Sequence, residues 1–329
     1  MNRVDESYGS LFERILNGES VISFEAMIKQ LPQLIFHEWM EQKQLFAALF
    51  AVLLLSVIIS GIDLSMNHKQ VSDIVYYATG ISLISLITLS MSQTIEFVTA
   101  TLEHLTGFTH TAIPAYLLCV SAVSGAKTAS AFYAAALFTI GLIETLFLVI
   151  IVPLIQIYMI TALLDLLLRG LFTQLLSLLK SVIQFCLKSS MAGVVCIQAI
   201  QGMVTPVLSS IKAGTFLRAV SAIPGIQGIS DTVFDTVAGS AVIIKNAMGM
   251  TTMLILLMIM LNPIVKLLTL IILYRLIAAF AGLFAEKEMA GCLHEIAEGS
   301  SMLFKTIVTS MGLLMITIAI ISFTTNRGF

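Results

Sequence analysis

The sequence predicts an all-α, polytopic membrane protein, and three observations carry that prediction. Of its 329 residues, 58% are hydrophobic and only 11% are charged, with a mean hydropathy of +1.01. A soluble domain carries roughly 25% charged residues, so this chain has too few to coat itself in water. Apolar runs of membrane-spanning length recur from residue 45 onward. These runs are continuously apolar instead of alternating at period two, which leaves helices as the structure that satisfies its own backbone in lipid.

Each element follows in order. Residues 1–43 form a polar, Glu-containing segment with no basic stretch leading into an apolar one, so no signal peptide is expected within it. Within it Phe24, Ile28, Leu31, Leu34, Ile35 and Trp39 recur at helical spacing, which predicts a short amphipathic helix ahead of the membrane domain, 44–329. Spans are expected over Leu45–Ile62 and Ile74–Ser92, with an interrupted segment over Glu96–Val123. The stretch Ala129–Leu168 overruns a ~30 Å hydrocarbon core, so a bend is expected near Pro153. Over Leu171–Lys188 a polar stripe (Thr173, Gln174, Ser177, Lys180, Ser181, Gln184, Lys188) opposes an apolar face, predicting an amphipathic helix at an interface or beside an aqueous space. A segment interrupted by Pro206 follows, then a glycine loop over 214–230 and a polar-stripe helix over 231–248. A helix over 250–284, broken or re-entrant at Asn262–Pro263, leads through a polar connector, 285–301, to the last span, 302–323. Roughly six to eight membrane segments result.

The net charge of −2 gives no footprint for nucleic-acid binding. Cys119, Cys186, Cys196 and Cys292 are scattered without a C-x-x-C, so neither a disulfide framework nor a zinc site is expected. His37-Glu38 lacks the second histidine of a zinc-protease helix, and there is no phosphate-binding loop of the G-x-x-x-x-G-K-[ST] form. No nucleophile–base arrangement is identifiable, so no enzyme, cofactor or metal is expected.

The informative residues are charges placed in apolar surroundings. Asp231, Asp235, Lys245 and Asn246 fall within about a third of one helix circumference, with Ala238 and Gly239 beside them. Such a stripe either pairs with neighbouring helices or lines a polar path. Glu144 is alone in its span; Lys266 and Arg275 lie on opposite sides of the following apolar segment, Lys266 snorkelling and Arg275 buried against a partner. Asp165 and Arg169 are spaced as an (i, i+4) ion pair. Pro224, Gly225, Gly228, Pro206, Asn262 and Pro263 are the candidate loop and hinge residues.

The C-terminal half also carries a family pattern. The order Ala222-Ile-Pro-Gly-Ile-Gln-Gly228-Ile-Ser-Asp231, Asp235-Thr-Val, Lys245-Asn-Ala-Met-Gly249 resembles the stage III sporulation protein AE family. The match extends through Pro263-Ile-Val-Lys266-Leu, Tyr274-Arg275-Leu and Cys292-Leu, and upstream to Asn17-Gly18-Glu19 and Phe36-His37-Glu38. The glycines of the loop are separated here by Ile226-Gln227, and Arg275 stands where that pattern has Lys. The resemblance implies a multispanning subunit of the channel-like, secretion-like apparatus that links mother cell and forespore, needed for forespore development after engulfment. It places the protein in the mother-cell membrane around the forespore, as an oligomer beside a cytosolic secretion-type ATPase, ring-forming subunits and other stage III membrane proteins. Two other classes stay open on the residues alone: an independent secondary transporter built on discontinuous helices, and a purely structural membrane scaffold.

Overall fold

A computed structural model describes the backbone of residues 24–66, 69–124, 138–220, 230–284 and 287–326, with side chains for 31–59, 73–111, 138–197, 247, 249–283 and 287–320. Every regular element among them is helical. In order they are α1 (Phe24–Met66), α2 (Lys69–Ser124), α3 (residues 138–146, a π-helical turn Phe147–Ile151, and Val152–Leu167), α4 (Thr173–Val220), α5 (Ser230–Phe284) and α6 (Lys287–Asn326). Each is long and apolar enough to cross a membrane, the candidate spans being Leu31–Ile59, Asp73–Thr111, Phe138–Leu167, Thr173–Ile197, Gly249–Leu283 and Lys287–Ile320. The chain is a multi-pass helical membrane protein.

The helices run further than the sequence suggests. Residues 24–43 do not form a separate element, because α1 continues from them into the first span. The segments around 74–92 and 96–123 are one helix, α2. Helix α4 passes through Gly202, Pro206 and Gly214 as far as Val220, so only 221–229 of the glycine loop stays outside the described residues, with Pro224, Gly225 and Gly228 in it. Helix α5 is also unbroken at Asn262–Pro263, and no re-entrant turn occurs there. Pro263 removes one ladder hydrogen bond, to Ile259, while the surrounding packing holds the helix; Pro263 itself is buried. The polar connector 285–301 is overturned too: from Lys287 onward it is the first part of α6. Its charges are tolerated in a helix because other helices supply their partners, as described below.

The expected bend near Pro153 has a structural counterpart. Pro153 has no N–H for the carbonyl four residues back, and the turn ahead of it widens to π geometry over Phe147–Ile151. The Val152 N–H bonds to the Phe147 carbonyl, five residues back.

Packing centres on α6, which lies against α5 along most of its length and also touches α2, α3 and α4. Leu293, Ile296, Ala297, Met302, Leu303 and Ile307 are its buried face. At Gly299 the approach of α3 is close: a Cβ added there would lie 2.5 Å from Met159 Cγ. Small residues at such crossings let membrane helices pack by van der Waals contact, the lipid tails being as apolar as the side chains. Buried hydroxyls add specific ties. Tyr76 donates to the Leu166 carbonyl at 2.6 Å, joining α2 to α3, and Tyr274 donates to Ser90 Oγ at 2.9 Å, joining α5 to α2.

The α3–α4 connection is tight. Helix α3 ends at Leu167, and Arg169 and Gly170 both take positive φ, +50° and +89°. Gly170 suits that conformation, whereas Arg169 is held in it by its contacts. Asp165 accepts a hydrogen bond from the Phe172 N–H (2.5 Å), and the Thr173 hydroxyl donates to the Gly170 carbonyl at 2.9 Å, capping the start of α4.

Candidate functional site

Polar groups within the spans gather at three places. The first is a charged bridge across α4, α6 and α5. Glu298 on α6 accepts from Lys180 of α4 at 3.3 Å on one carboxylate oxygen and from Arg275 of α5 at 3.0 Å on the other. Glu298 is 14% exposed, Lys180 32% and Arg275 54%. Arg275 is thus at the bundle surface, not buried as its position suggested, and pairs inward. Tyr158 of α3 donates to Glu295, one turn before Glu298. Two bases share the Glu298 carboxylate here, and the Glu295 carboxylate lies one turn away.

The polar groups continue along α4. Leu176, Ile183, Leu187 and Val194 form its buried face. Leu175, Leu178, Val182 and Phe185 are exposed on the far side. Between these lie the exposed Thr173, Gln174, Ser177, Ser181 and Lys188, with Gln184 half-buried. At 100° per residue this polar stripe adjoins Lys180, and so the Glu298 side of the helix. One helix therefore presents a lipid-compatible face and a polar face to its surroundings.

The second place is Glu144, on α3 just before the π turn. It is 1% exposed, and its Oε1 lies 3.2 Å from Thr109 Oγ1 of α2 and 3.4 Å from Ser310 Oγ of α6. Its Oε2 has no hydrogen-bond partner among the described residues. The third lies between α1 and α5. Glu38 and Gln42, one turn apart, are buried in α1, and the Lys266 ammonium sits 4.3 Å from the centre of the Phe97 ring. Lys266 is half-buried and makes a cation–π contact, so it does not reach freely outward.

The Asp165–Arg169 pair does not form. Because α3 stops at Leu167, Arg169 leaves the helical path and bonds to Asp73 of α2 at 2.5 Å, lying over the Tyr76 and Tyr77 rings. The hydrogen bond to Asp73 raises the pKa of a group already permanently charged. Asp231, Asp235, Lys245 and Asn246 lie on α5, but their side chains fall outside the described residues. Among the described residues no three His, Cys, Asp or Glu side chains gather as a metal site.

Lone charges at 144 and 275 were visible in the sequence. Glu298 was not singled out as a partner, because it falls in a stretch that reads as a solvated connector. Thr109 and Ser310 gave no signal, since single hydroxyls on apolar helices have no distinctive spacing.

No solved structure matches the chain. The chain is 26% identical over 318 residues to stage III sporulation protein AE of Bacillus subtilis (strain 168), covering 95% of this chain and 79% of that protein. The family profile described as stage III sporulation protein AE matches residues 7–325. With the match running through all six helices, the chain belongs to the stage III sporulation protein AE family.

Proposed function

We propose that this protein is an integral subunit of the channel-like apparatus between mother cell and forespore, seated in the mother-cell membrane that surrounds the forespore. A sporulation role for a multi-pass membrane protein follows from the family; the channel role rests on one observation. The α4 stripe and the Lys180–Glu298–Arg275 bridge put a polar, charged face on the outside of the bundle within candidate spans. Hydrocarbon is a costly environment for such a face, whereas water or another polar subunit surface is not. The proposed path therefore runs along this outer face, closed by further copies or neighbouring subunits, with the Asp231–Asn246 stripe of α5 as a second candidate wall. Having no phosphate-binding loop, the chain depends on a partner for energy, which fits a cytosolic secretion-type ATPase alongside ring-forming subunits.

Deleting the gene in its spore-forming host is expected to block development after engulfment and leave vegetative growth unchanged. Normal heat-resistant spores from a clean deletion would remove the assignment. The path itself is tested by cysteine accessibility in sporulating cells, in a background without native cysteines. Ser177→Cys, Ser181→Cys and Lys188→Cys should react with a charged, water-soluble thiol reagent, while Leu178→Cys and Phe185→Cys should not. Equal reactivity of both sets would mean that α4 is bathed in water on all sides, and no reaction in either would exclude water; both outcomes count against the path.

A further inference from the structure

We propose that Glu144 is a proton-binding site in the membrane interior, a neutral carboxyl that takes up and releases one proton between α2, α3 and α6. Glu144 has too few hydrogen-bond donors around it to rest as an anion, whichever way the channel reading stands. A threonine hydroxyl has one hydrogen to give. Thr109 spends its hydrogen on the Leu105 carbonyl at 2.9 Å, and Thr106 spends its own on the Leu102 carbonyl at 2.9 Å. The Thr109 hydroxyl can donate to Glu144 Oε1, at 3.2 Å, only by giving up that shorter bond within its own helix. Ser310 is the remaining hydroxyl donor, and at 3.4 Å its bond is long. An ionised Glu144 would hold at best two long hydrogen bonds, both on Oε1, and none on Oε2 among the described residues. A buried charge so poorly solvated is costly, and binding a proton removes the cost. The proton also completes the geometry, because a carboxyl O–H donates to the Thr109 oxygen.

A metal cation fits the same oxygens less well. Hard cations gather six or more oxygens at about 2.0–2.6 Å, while two hydroxyls and one carboxyl at these separations leave no such cage. The titratable groups within about two turns of Thr109 and Ser310 on the packed helices, among the described residues, are Glu103, His104 and His110 on α2 and Lys305 on α6, all exposed. None of them hydrogen-bonds or ion-pairs with Glu144. His110 comes nearest to the same stretch of α3: a Cβ added at Gly141 would meet His110 Cε1 at 3.8 Å. It offers a titratable group at the bundle surface one turn from Glu144. The π turn directly after Glu144 breaks the regular ladder of α3, which gives this helix a place to adjust when the proton leaves.

The test uses the whole protein in lipid vesicles. Dicyclohexylcarbodiimide partitions into the bilayer and reacts with protonated carboxyls. The acid O–H adds across one C=N bond, the proton going to nitrogen and the carboxylate oxygen to the central carbon, and the adduct rearranges to an N-acylurea with nothing expelled. Glu144 should be modified at neutral pH, as read by peptide mass, and the Glu144→Gln protein should lose that adduct alone. Infrared difference spectra of the same two proteins give a second reading that needs no reagent access. A protonated-carboxyl band should be present at neutral pH in the parent and lose the intensity of one carboxyl in Glu144→Gln. Absence of that band from the parent, or a band of undiminished intensity in Glu144→Gln, overturns the proposal whether or not the carbodiimide reacts; the buried Glu38 contributes equally to both proteins.

Discussion

Replacing Glu298 with Ala is expected to destabilise the folded protein by about 2–3 kcal/mol, enough to lower its abundance in the membrane severalfold. Glu298 is the shared acceptor of Lys180 and Arg275, so its loss strands two positive charges at span depth together. Breaking a fully buried pair costs about 3–5 kcal/mol, and the partial exposure of both bases moves the figure down. Against a typical total stability of about 5–15 kcal/mol, that is a large fraction. Glu298→Gln should fall between, because the amide oxygen still accepts one hydrogen bond but no longer offsets charge. Thermal unfolding in detergent, read with protein abundance in membranes, separates the cases. A Glu298→Ala protein that melts with the parent would show that the bridge holds nothing together.

Filling the space at Gly299 is expected to be equally damaging for a steric reason. An alanine Cβ at 299 would stand 2.5 Å from Met159 Cγ and 3.1 Å from its Sδ, inside contact distance. Met159 is itself buried at 1%, and Cγ is close to the backbone, so the methionine cannot simply swing aside. Overpacking of this kind costs about 1–3 kcal/mol for Ala, and Gly299→Leu should exceed that range. Adding Met159→Ala to Gly299→Ala should restore part of the loss, because the methyl then occupies vacated volume. Unfolding midpoints of the four proteins form a double-mutant cycle. Additive losses, with no rescue, would mean that the α3–α6 crossing is not set by this pair.

Helix existence was legible in the sequence because hydropathy reports it directly: apolar length located five of the six candidate spans, while Thr173–Ile197 read as an amphipathic helix at an interface or beside an aqueous space. Helix ends were less legible. Pro206 and Pro263 read as breaks on local grounds, yet α4 and α5 run through them, because one missing ladder hydrogen bond is cheaper than dismantling a packed span. The stretch from Lys287 to Ser301 read as a connector because its charges were counted without their partners. Tyr158, Lys180 and Arg275 come from three other helices, and no spacing within 287–301 could announce them. The Asp165–Arg169 pairing failed for a related reason: (i, i+4) geometry requires a helix to continue, and α3 ends between the two. Glu144 was legible as a solitary carboxyl in its span, but its hydroxyl neighbours on α2 and α6 were not.

The bridge across α4, α5 and α6 also imposes an order of events during biosynthesis. Both bases precede their carboxylate: Lys180 is made more than a hundred residues before Glu298, and Arg275 also comes first. At a ribosome speed of ~5–20 residues per second, α4 waits roughly ten seconds with an unneutralised lysine. During that interval it cannot rest in lipid as a finished span. The short α3–α4 turn keeps it beside a hydrophobic hairpin partner, and the insertion machinery must shelter its polar flank until α6 emerges. The Lys180–Glu298–Arg275 bridge is thereby closed only when the last helix is made.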